Sequence, residues 1–347
     1  MLANVNSARK ILYPFSFVYG LITNIRNRAF DLGLLRSESF DFPVISVGNL
    51  SVGGTGKSPM IEYLIRLFQP SYQVAVLSRG YGRKTKGFLL ASENSSAKEL
   101  GDEPLQFYRK FKDVIVAVDE KRVNGLEQLQ KLKPELNVVL LDDAFQHRYV
   151  KAGYNVLLTA YDKLYTDDLL LPAGDLRESR KGADRADVII ISKCPSDLDK
   201  KEQLEIVKKI RPKPNQNVFF SCIQYDSYVF GREGKIPTDE LSSWNVLMVT
   251  GIADTEPMEE FLTSLQINFQ QLKFSDHQFI GNRELEKIKK SFSLIDGEKK
   301  LILTTEKDYV RSFLHTTLPV FYLPIKTEIL DNSEKFNDLI KNYVRKN

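Results

Sequence analysis

A glycine-rich turn between an apolar strand and an amphipathic helix is the feature that most constrains the fold of this chain. Residues 43–68 read PVISVGNLSVGGTGKSPMIEYLIRLF, and Gly56, Lys57 and Ser58 match the end of the phosphate-binding pattern G-x-x-x-x-G-K-[ST]. Ser51 stands where that pattern begins with glycine. Glycines let backbone N–H groups turn toward an anion, and a helix N-terminus attracts phosphate. The stretch predicts a nucleotide-binding loop, with a purely structural turn as the alternative.

The predicted nucleotide contacts are the residues of this loop: Ser51, Val52, Gly53, Gly54, Thr55, Gly56, Lys57 and Ser58. Lys57 can reach the outer phosphates, and the Ser58 hydroxyl can bind Mg²⁺. Pro59 is compatible with this interpretation, because N–H groups in the first turn of a helix have no intrahelical partner.

Near-continuous apolar segments separated by helical patterns predict a parallel sheet that is covered on both faces. These segments are 43–48, 73–78, 113–118, 137–143, 154–160 and 187–193. A proline-rich break at 211–217 precedes a predicted antiparallel pair and a second strand–helix alternation. We therefore expect an α/β fold with two domains joined by a two-stranded linker. The predicted ranges are an N-terminal helix at 1–30, a phosphate-binding domain at 31–216, the linker at 217–240 and a smaller α/β domain at 241–347.

The composition excludes several classes of protein. A net charge of +4 with no arginine-rich arm favours anionic partners only weakly, so no nucleic acid partner is expected. With 42% hydrophobic and 27% charged residues, the chain is not a multi-span membrane protein. Cys194 and Cys222 have no metal-binding spacing and favour a reducing compartment.

The uncharged run ILYPFSFVYGLITNI at 11–25 is too short to cross a membrane, which needs about 20 apolar residues. Basic residues flank it within 9–28, and its aromatic content is typical of a helix that lies in a membrane interface. A helix packed on the protein's own core is the alternative, and both interpretations stay open.

Carboxylates follow the predicted strand in VVLLDDAFQH, 138–147. Asp142 and Asp143 at the end of a buried strand can hold Mg²⁺ beside a phosphate loop. Alone, they would be interpreted as two solvated aspartates; the glycine-rich turn upstream favours the metal site.

Two further residues are candidates for proton transfer. Asp102, in LGDEPLQF, can orient an attacking hydroxyl or can simply cap a helix. His277, in FSDHQF, lies beside an aspartate and can exchange a proton, although a lone histidine is more often structural.

Arg79 in LSRGYGRK and Arg177 in LLPAGDLRES suit a phosphate through the planar guanidinium fork, with surface salt bridges as the alternative. Gln146, after the aspartate pair, completes the substrate-contact candidates. Pro195 in ISKCP stands where a guanine-reading motif has aspartate, which disfavours GTP.

Seven motifs in this order resemble the tetraacyldisaccharide 4′-kinase family of lipid A biosynthesis. They are VGNLSVGGTGKSP, LSRGYGR, GDEP, LDDAFQH, LPAGDLRE, FSDH and TTEKD, and they span nearly the whole chain. The loop of that family itself reads S-V-G-G-x-G-K, so Ser51 matches the family. Ser58 and Ala144-Phe145 depart from its commoner threonine and Gly-Leu, and neither departure removes a chemical group.

The resemblance implies a P-loop NTPase fold and transfer of the ATP γ-phosphate, with Mg²⁺, to the 4′-hydroxyl of a lipid disaccharide 1-phosphate. It implies that Asp102 is the base paired with His277, and that Asp142 and Asp143 organise the metal and the phosphates. From the phosphate-loop pattern itself, we expect Lys57 to offset charge on the transferred phosphoryl group. The resemblance also implies that residues 9–28 associate with the cytoplasmic face of the inner membrane.

Two other functions are compatible with the motifs: a P-loop kinase or ATPase that acts on a soluble substrate, and a nucleotide-binding regulator without catalysis. The oligomeric state is left open.

Overall fold

The computed structural model describes residues 7–252, 254–275, 278, 280–314 and 316–346, which form two β-sheets flanked by helices. The first sheet contains β1 (Val44–Asn49), β2 (Val74–Ser78), β3 (Leu89–Leu90), β4 (Ile115–Val118), β5 (Val138–Asp142), β6 (Tyr154–Ala160), β7 (Val188–Ser192), β8 (Asn217–Tyr225) and β15 (Ile325–Ile329). The second contains β9 (Tyr228–Gly231), β10 (Gly234–Pro237), β11 (Asn245–Thr250), β12 (Asn268–Lys273), β13 (Lys300–Thr305) and β14 (Val320–Leu323).

The helices lie between and around these strands. They are α1 (Tyr13–Asp31), α2 (Lys57–Phe68), α3 (Ala97–Leu100), α4 (Asp102–Lys110), α5 (Arg122–Leu132), α6 (Lys200–Ile210), α7 (Glu256–Ser264), α8 (Asn282–Ser293), α9 (Glu306–Asp308) and α10 (Ser333–Lys346). Short 3-10 segments occupy Ser7–Leu12, Arg180–Arg185 and Asp239–Ser243, and a π-helical turn occupies Tyr309–Phe313.

The strand order of the first sheet explains why polar side chains meet at one edge. The order is β15-β8-β7-β6-β1-β5-β2-β4-β3, and every neighbouring pair from β8 to β4 is parallel. Because β1, β5 and β2 are adjacent, their carboxyl ends place Asn49, Asp142 and Ser78 side by side. All residues of β5 are buried, as the unbroken apolar run VVLL requires of a strand covered on both faces.

The core of the first sheet contains two helices that are far apart in the sequence, α2 and α10. Helix α2 buries Ile61, Leu64 and Phe68 against β1, and α10 adds the fully buried Phe336 and Ile340 to the same cluster. Each fully buried side chain of this size contributes about 1.5–3 kcal/mol. The C-terminal helix is therefore part of the framework that holds the β1–α2 turn.

The second sheet has the order β10-β9-β14-β13-β11-β12, with parallel pairs from β14 to β12. The chain crosses between the sheets twice, from β8 to β9 and from β14 to β15. The backbone N–H of Asp226 donates to the carbonyl of Pro324 at 3.0 Å, so the two crossings are hydrogen-bonded to each other.

The predicted α/β fold with a large parallel sheet is confirmed, whereas two details of the chain path differ from the prediction. Strand β8 pairs in parallel with β7 and belongs to the first sheet, so the antiparallel pair within 217–240 is β9 with β10. Residues 325–346, placed in the second domain, return to the first sheet because Ile329, Phe336 and Ile340 are buried in its core. The domain boundaries themselves stay a prediction.

Candidate active site

The turn after β1 is held open by two glycines and by contacts from behind. Gly53 and Gly56 have φ values of +104° and +79°, in the region that favours glycine. The Asn49 amide donates to the Thr55 hydroxyl at 2.7 Å, and the Ser192 hydroxyl donates to the Thr55 carbonyl at 2.8 Å. The fixed inner side leaves Val52, Gly53 and Gly54 exposed at the rim, where backbone N–H groups can meet an anion.

Ser51 fits because the backbone at this position is bridged to another segment. It forms an isolated antiparallel bridge with Leu176, and Leu50 accepts a hydrogen bond from the Arg177 N–H at 2.7 Å. Extended backbone does not require glycine. Gly48 lies within β1, where a Cβ would come within 2.6 Å of the Phe145 Cβ, so this glycine serves packing.

Helix α2 begins at Lys57, which places Pro59 in its first turn, as predicted. The Lys57 Nζ lies 3.9 Å from an Asp143 carboxylate oxygen. Asp143 adopts a left-handed conformation, φ +46°, which is rare for residues other than glycine. The strained turn directs the Asp143 carboxylate toward Lys57 and toward the bidentate guanidinium of Arg177, at 2.7 and 3.1 Å.

The two neighbouring aspartates differ in their electrostatics. Burial, and then the charges of Glu103 and Asp143, raise the pKa of Asp142 to about 7, against the opposing effects of Lys57 and Ser78. For Asp143, burial alone would raise the pKa, but Lys57 and Arg177 outweigh it and lower the pKa below its usual value. Asp143 is therefore ionised at neutral pH, whereas no cation forms an ion pair with the Asp142 carboxylate in the described part of the chain.

The two oxygens of the Asp142 carboxylate differ in their hydrogen bonding. Its Oδ2 accepts a hydrogen bond from the Ser78 hydroxyl at 3.0 Å, while its buried Oδ1 has no hydrogen-bond partner in the described part of the chain. A buried carboxylate oxygen without a partner is costly unless a cation or a ligand satisfies it. No group of three or more His, Cys, Asp or Glu among the described residues forms a metal cage, but Mg²⁺ typically needs only one or two carboxylates beside phosphates and water.

Asp102 does not cap a helix with its side chain, so that alternative is wrong. Helix α4 has Gly101 as its N-cap residue, and the Asp102 carboxylate instead lies 2.6 Å from the Arg311 Nε. Arg311 also contacts Asp308 at 3.2 Å and is nearly buried. It follows β13 of the second sheet, so this ion pair joins the two sheets beside the site.

His277 lies outside the described residues, and its predicted role stays a prediction.

His147 follows the aspartate pair of the site. Burial, with the positive charges of Arg122 and Arg26, lowers the pKa of His147 to about 4. His147 is therefore neutral at physiological pH.

The three substrate-contact candidates have different environments. The exposed Arg79, directly after β2, makes no hydrogen bond or ion pair in the described part of the chain. Arg177 is engaged with Asp143 and Asn49, and Gln146 donates to the Asn49 carbonyl and to Glu178 at 2.8 and 3.0 Å. Arg177 and Gln146 therefore stabilise the backbone at Asn49, where the loop begins. Of the three candidates, Arg79 has side-chain donors that are available to a substrate.

Two buried charged features were not predicted. Arg122, at the start of α5, is fully buried and donates to the carbonyls of Asp119 and Asp142 at 2.8 and 3.2 Å. Lys110 bridges Glu62 of α2 and Glu306 of α9 at 2.8 and 2.6 Å, which adds a second ionic contact between the two sheets. A glutamate inside the apolar pattern of α2 was the available signal for the second feature.

Replacing Glu306 with glutamine should make stability less dependent on pH. Burial raises the pKa of Glu306 to about 7 against the opposing charge of Lys110. Because the folded pKa exceeds the unfolded value of 4.5, the stabilisation is complete below that value and is lost as pH rises through 7. Between pH 6 and 8 the wild-type free energy of unfolding should fall by about 1 kcal/mol more than that of Glu306→Gln. Denaturant titrations at both pH values measure this difference. The exposed Glu298→Gln control should track the wild type, and equal pH slopes for all three proteins would contradict the prediction.

Helix α1 lies beside the site and leaves a broad apolar face uncovered. It packs through small residues: the Ser16 hydroxyl accepts from the Ala173 N–H at 2.9 Å, and a Cβ on Gly20 would come within 2.6 Å of Leu170. The exposed side carries Tyr13, Phe15, Phe17, Val18, Leu21, Ile22 and Ile25. The helix therefore packs on the protein through one side, while its apolar side is exposed, so the membrane-interface interpretation stays a prediction. No helix in the described ranges is long and apolar enough to span a bilayer.

The chain is similar to known proteins over nearly its whole length. The family model of tetraacyldisaccharide-1-P 4′-kinase matches residues 8–345. A tetraacyldisaccharide 4′-kinase of Flavobacterium johnsoniae is 51% identical, with 99% of each chain covered. One from Bacteroides thetaiotaomicron is 46% identical over 97% of this chain and 94% of its own.

A solved structure extends the likeness to three dimensions. LpxK from Aquifex aeolicus, in complex with ATP, is 33% identical and superposes with a TM-score of 0.78, covering 97% of this chain and 99% of its own. The match over nearly the whole length confirms the resemblance of the seven motifs and the P-loop kinase fold. The chain is an enzyme of the tetraacyldisaccharide-1-P 4′-kinase family.

Proposed function

We propose that the protein transfers the γ-phosphate of ATP to the 4′-hydroxyl of a tetraacyldisaccharide 1-phosphate in lipid A biosynthesis. The observation that carries the proposal is the meeting of Lys57 and Arg177 on Asp143 beside the open glycine-rich turn. This arrangement puts two cations and a partly exposed carboxylate at the carboxyl edge of a parallel sheet, where phosphoryl transfer needs charge neutralisation. Family membership and the ATP complex of the Aquifex aeolicus relative support the same substrate pair.

ATP would be held by the loop from Ser51 to Ser58. Backbone N–H groups at the exposed rim would cradle phosphate oxygens, and the Lys57 ammonium would offset negative charge on the transferred group. A bound Mg²⁺ ion would supply further neutralisation of the phosphate charge. Ser58, Asp142 and Asp143 would hold it; the partnerless Asp142 Oδ1 favours Asp142 as the direct ligand, since Asp143 is already engaged.

The acceptor hydroxyl would be oriented by Asp102, with His277 as its proton partner. Asp102 stands at the start of α4, and the adjacent Glu103 is close enough to Asp142 for its charge to raise the pKa of that residue. A carboxylate can take the hydroxyl proton because proton transfer is late in a loose phosphoryl transfer. Arg311 would hold the Asp102 carboxylate in place until the acceptor arrives. Arg79, with its free guanidinium, would contact the acceptor's anionic group.

We further propose that the apolar face of α1 lies in the cytoplasmic leaflet of the inner membrane. Phe17 and Ile22 are 72% and 62% exposed, and Arg28 is an exposed basic residue at the end of the helix. An amphipathic helix with aromatic and basic residues lies at the boundary between the lipid headgroups and the acyl chains. Each basic residue near anionic lipid adds about 1 kcal/mol to the free energy of membrane binding. The kinase loop would then face an acceptor whose acyl chains remain in the bilayer.

The double variant Phe17→Ser, Ile22→Ser should lose affinity for anionic vesicles by about 30-fold, because two apolar side chains no longer enter the interface. Its KM for the lipid acceptor should rise, and its melting temperature should stay unchanged. The control is Leu204→Ser, Leu294→Ser, which removes two exposed apolar side chains elsewhere. Equal vesicle affinity for the two double variants in a sedimentation assay would contradict the membrane assignment.

The alternative function is a P-loop kinase or ATPase with a soluble substrate. Mixed micelles containing γ-labelled ATP, Mg²⁺ and a tetraacylated disaccharide 1-phosphate test the proposal directly. A labelled bisphosphate is the expected product. Absence of this product from protein that binds ATP would end the lipid-kinase proposal, and turnover of a soluble acceptor by the α1 double variant at the wild-type rate would favour the alternative.

A further inference from the structure

A tightly folded segment, residues 168–178, connects the N-terminal segment with the phosphate loop; we name it the strap. Its own turns are closed by hydrogen bonds such as Gly174 N–H to the Leu170 carbonyl at 2.9 Å. A Cβ on Gly174 would come within 2.1 Å of the Leu169 carbonyl oxygen, so the turn leaves no space for a side chain. The strap is therefore a compact unit, so a shift on its Arg9 side would also move its phosphate-loop side.

One side of the strap holds the phosphate loop by its backbone. The Val52 N–H donates to the Asp175 carbonyl at 2.8 Å, and the Arg177 N–H donates to the Leu50 carbonyl at 2.7 Å. The Arg177 side chain then reaches the Asp143 carboxylate at 2.7 Å. The rim of the loop and the carboxylate beside Lys57 thus depend on where residues 175–177 lie.

The other side of the strap is held by Arg9. Its Nε donates to the Pro172 carbonyl at 3.1 Å, its Nη1 donates to the Asp175 carboxylate at 2.9 Å, and its Nη2 donates to the Gly174 carbonyl at 2.5 Å. Asp175 thus binds Arg9 with its carboxylate and the phosphate loop with its carbonyl. The Asp175 carboxylate also contacts Lys163.

We infer that Arg9 and Asp175 are positioning residues for the nucleotide: together they fix the strap, and the strap fixes the Leu50–Val52 side of the phosphate loop. Arg9 belongs to the basic flank that the sequence assigns to the membrane, yet its guanidinium is directed into the protein. Its planar fork makes three hydrogen bonds with a geometry that lysine cannot reproduce. The N-terminal segment therefore contributes to ATP binding, independently of lipid.

The test is ATP affinity in lipid-free buffer, measured by calorimetry on the full chain with Mg²⁺. Arg9→Met should weaken ATP binding about tenfold, at the low end of effects seen when outer supports of a site are removed. The KM for ATP should rise in proportion, with kcat at saturating ATP changed less than about twofold. Arg9→Lys should recover only part of the loss. The matched control is Arg28→Met, which removes an equal charge from an exposed position and should bind ATP like the wild type.

A double-mutant cycle separates positioning from a general loss of stability. Asp175→Asn keeps the carbonyl that holds Val52 but weakens the ion pair, so we expect about a threefold loss of ATP affinity. The double variant Arg9→Met, Asp175→Asn should lose little more ATP affinity than Arg9→Met alone, because both substitutions break the same contact. Additive losses, or equal ATP affinity of Arg9→Met and Arg28→Met, would overturn the inference.

The inference rests on the proposal that the loop binds ATP, and the same experiment distinguishes the two. A wild-type protein that fails to bind ATP would overturn both. Normal ATP affinity of Arg9→Met together with weaker binding to anionic vesicles would overturn the inference alone, because Arg9 would then act on lipid.

Discussion

Replacing Lys57 with methionine is expected to lower kcat/KM for ATP by about 10³-fold, because Lys57 follows the glycine-rich loop directly and its ammonium would offset charge on the transferred phosphoryl group. Methionine keeps an unbranched side chain of nearly the same length and removes the charge and the N–H donors of the ammonium. Asp143 retains the bidentate guanidinium of Arg177, so the fold should keep its melting temperature. Initial rates at varied ATP measure the loss.

The control for this variant is Lys200→Met, which removes an exposed lysine on α6, far along the chain from the loop. Lys57→Arg is expected to remain strongly impaired, because a planar guanidinium does not fit a site built for a compact ammonium. A Lys57→Met protein within tenfold of wild-type kcat/KM would show that the loop does not carry the transfer.

Replacing Asp102 with asparagine is expected to lower kcat by about 10²- to 10⁴-fold while ATP affinity stays unchanged, as for loss of a positioned general base. Asparagine keeps the shape and one oxygen, but it cannot accept the hydroxyl proton. The substitution also removes one partner of Arg311, which keeps its contact with Asp308. Single-turnover rates separate transfer from binding, and calorimetry checks the ATP affinity.

Glu103→Gln is the matched control for Asp102→Asn, since it neutralises the neighbouring carboxylate of the same helix turn. A smaller loss of kcat in Glu103→Gln would show that the loss in Asp102→Asn reflects the missing base rather than the missing negative charge on α4. If Asp102→Asn turned over at nearly the wild-type rate, Asp102 would be only a partner of Arg311 in the contact between the sheets.

Residue patterns predicted the elements that depend on local sequence. The buried strands β1 and β5 follow from unbroken apolar runs, and the open turn follows from Gly53 and Gly56. Asp142 could be placed at the edge of the sheet because the carboxyl ends of parallel strands converge there.

Contacts between distant segments could not be predicted in this way. Arg9 and Asp175 are 166 residues apart, and Asp102 and Arg311 are 209 apart, so neither pair has a local pattern. The return of α10 to the first sheet could not be predicted either. An amphipathic pattern indicates that a helix has an apolar face, but it does not identify the sheet against which that face packs. The family resemblance accounts for Ser51 in the sequence, but the physical reason that serine is tolerated there lies in its backbone bridge to Leu176.

The most direct test of the account is the position of the new phosphate on the lipid product. The intact protein is incubated with ATP, Mg²⁺ and a tetraacyldisaccharide 1-phosphate in mixed micelles, and the product is mapped by ³¹P NMR and tandem mass spectrometry. We expect a single new phosphomonoester on the 4′-oxygen, formed by the wild type and nearly absent with Lys57→Met. A phosphate at another position, or ATP hydrolysis without transfer by protein that binds both substrates, would contradict it.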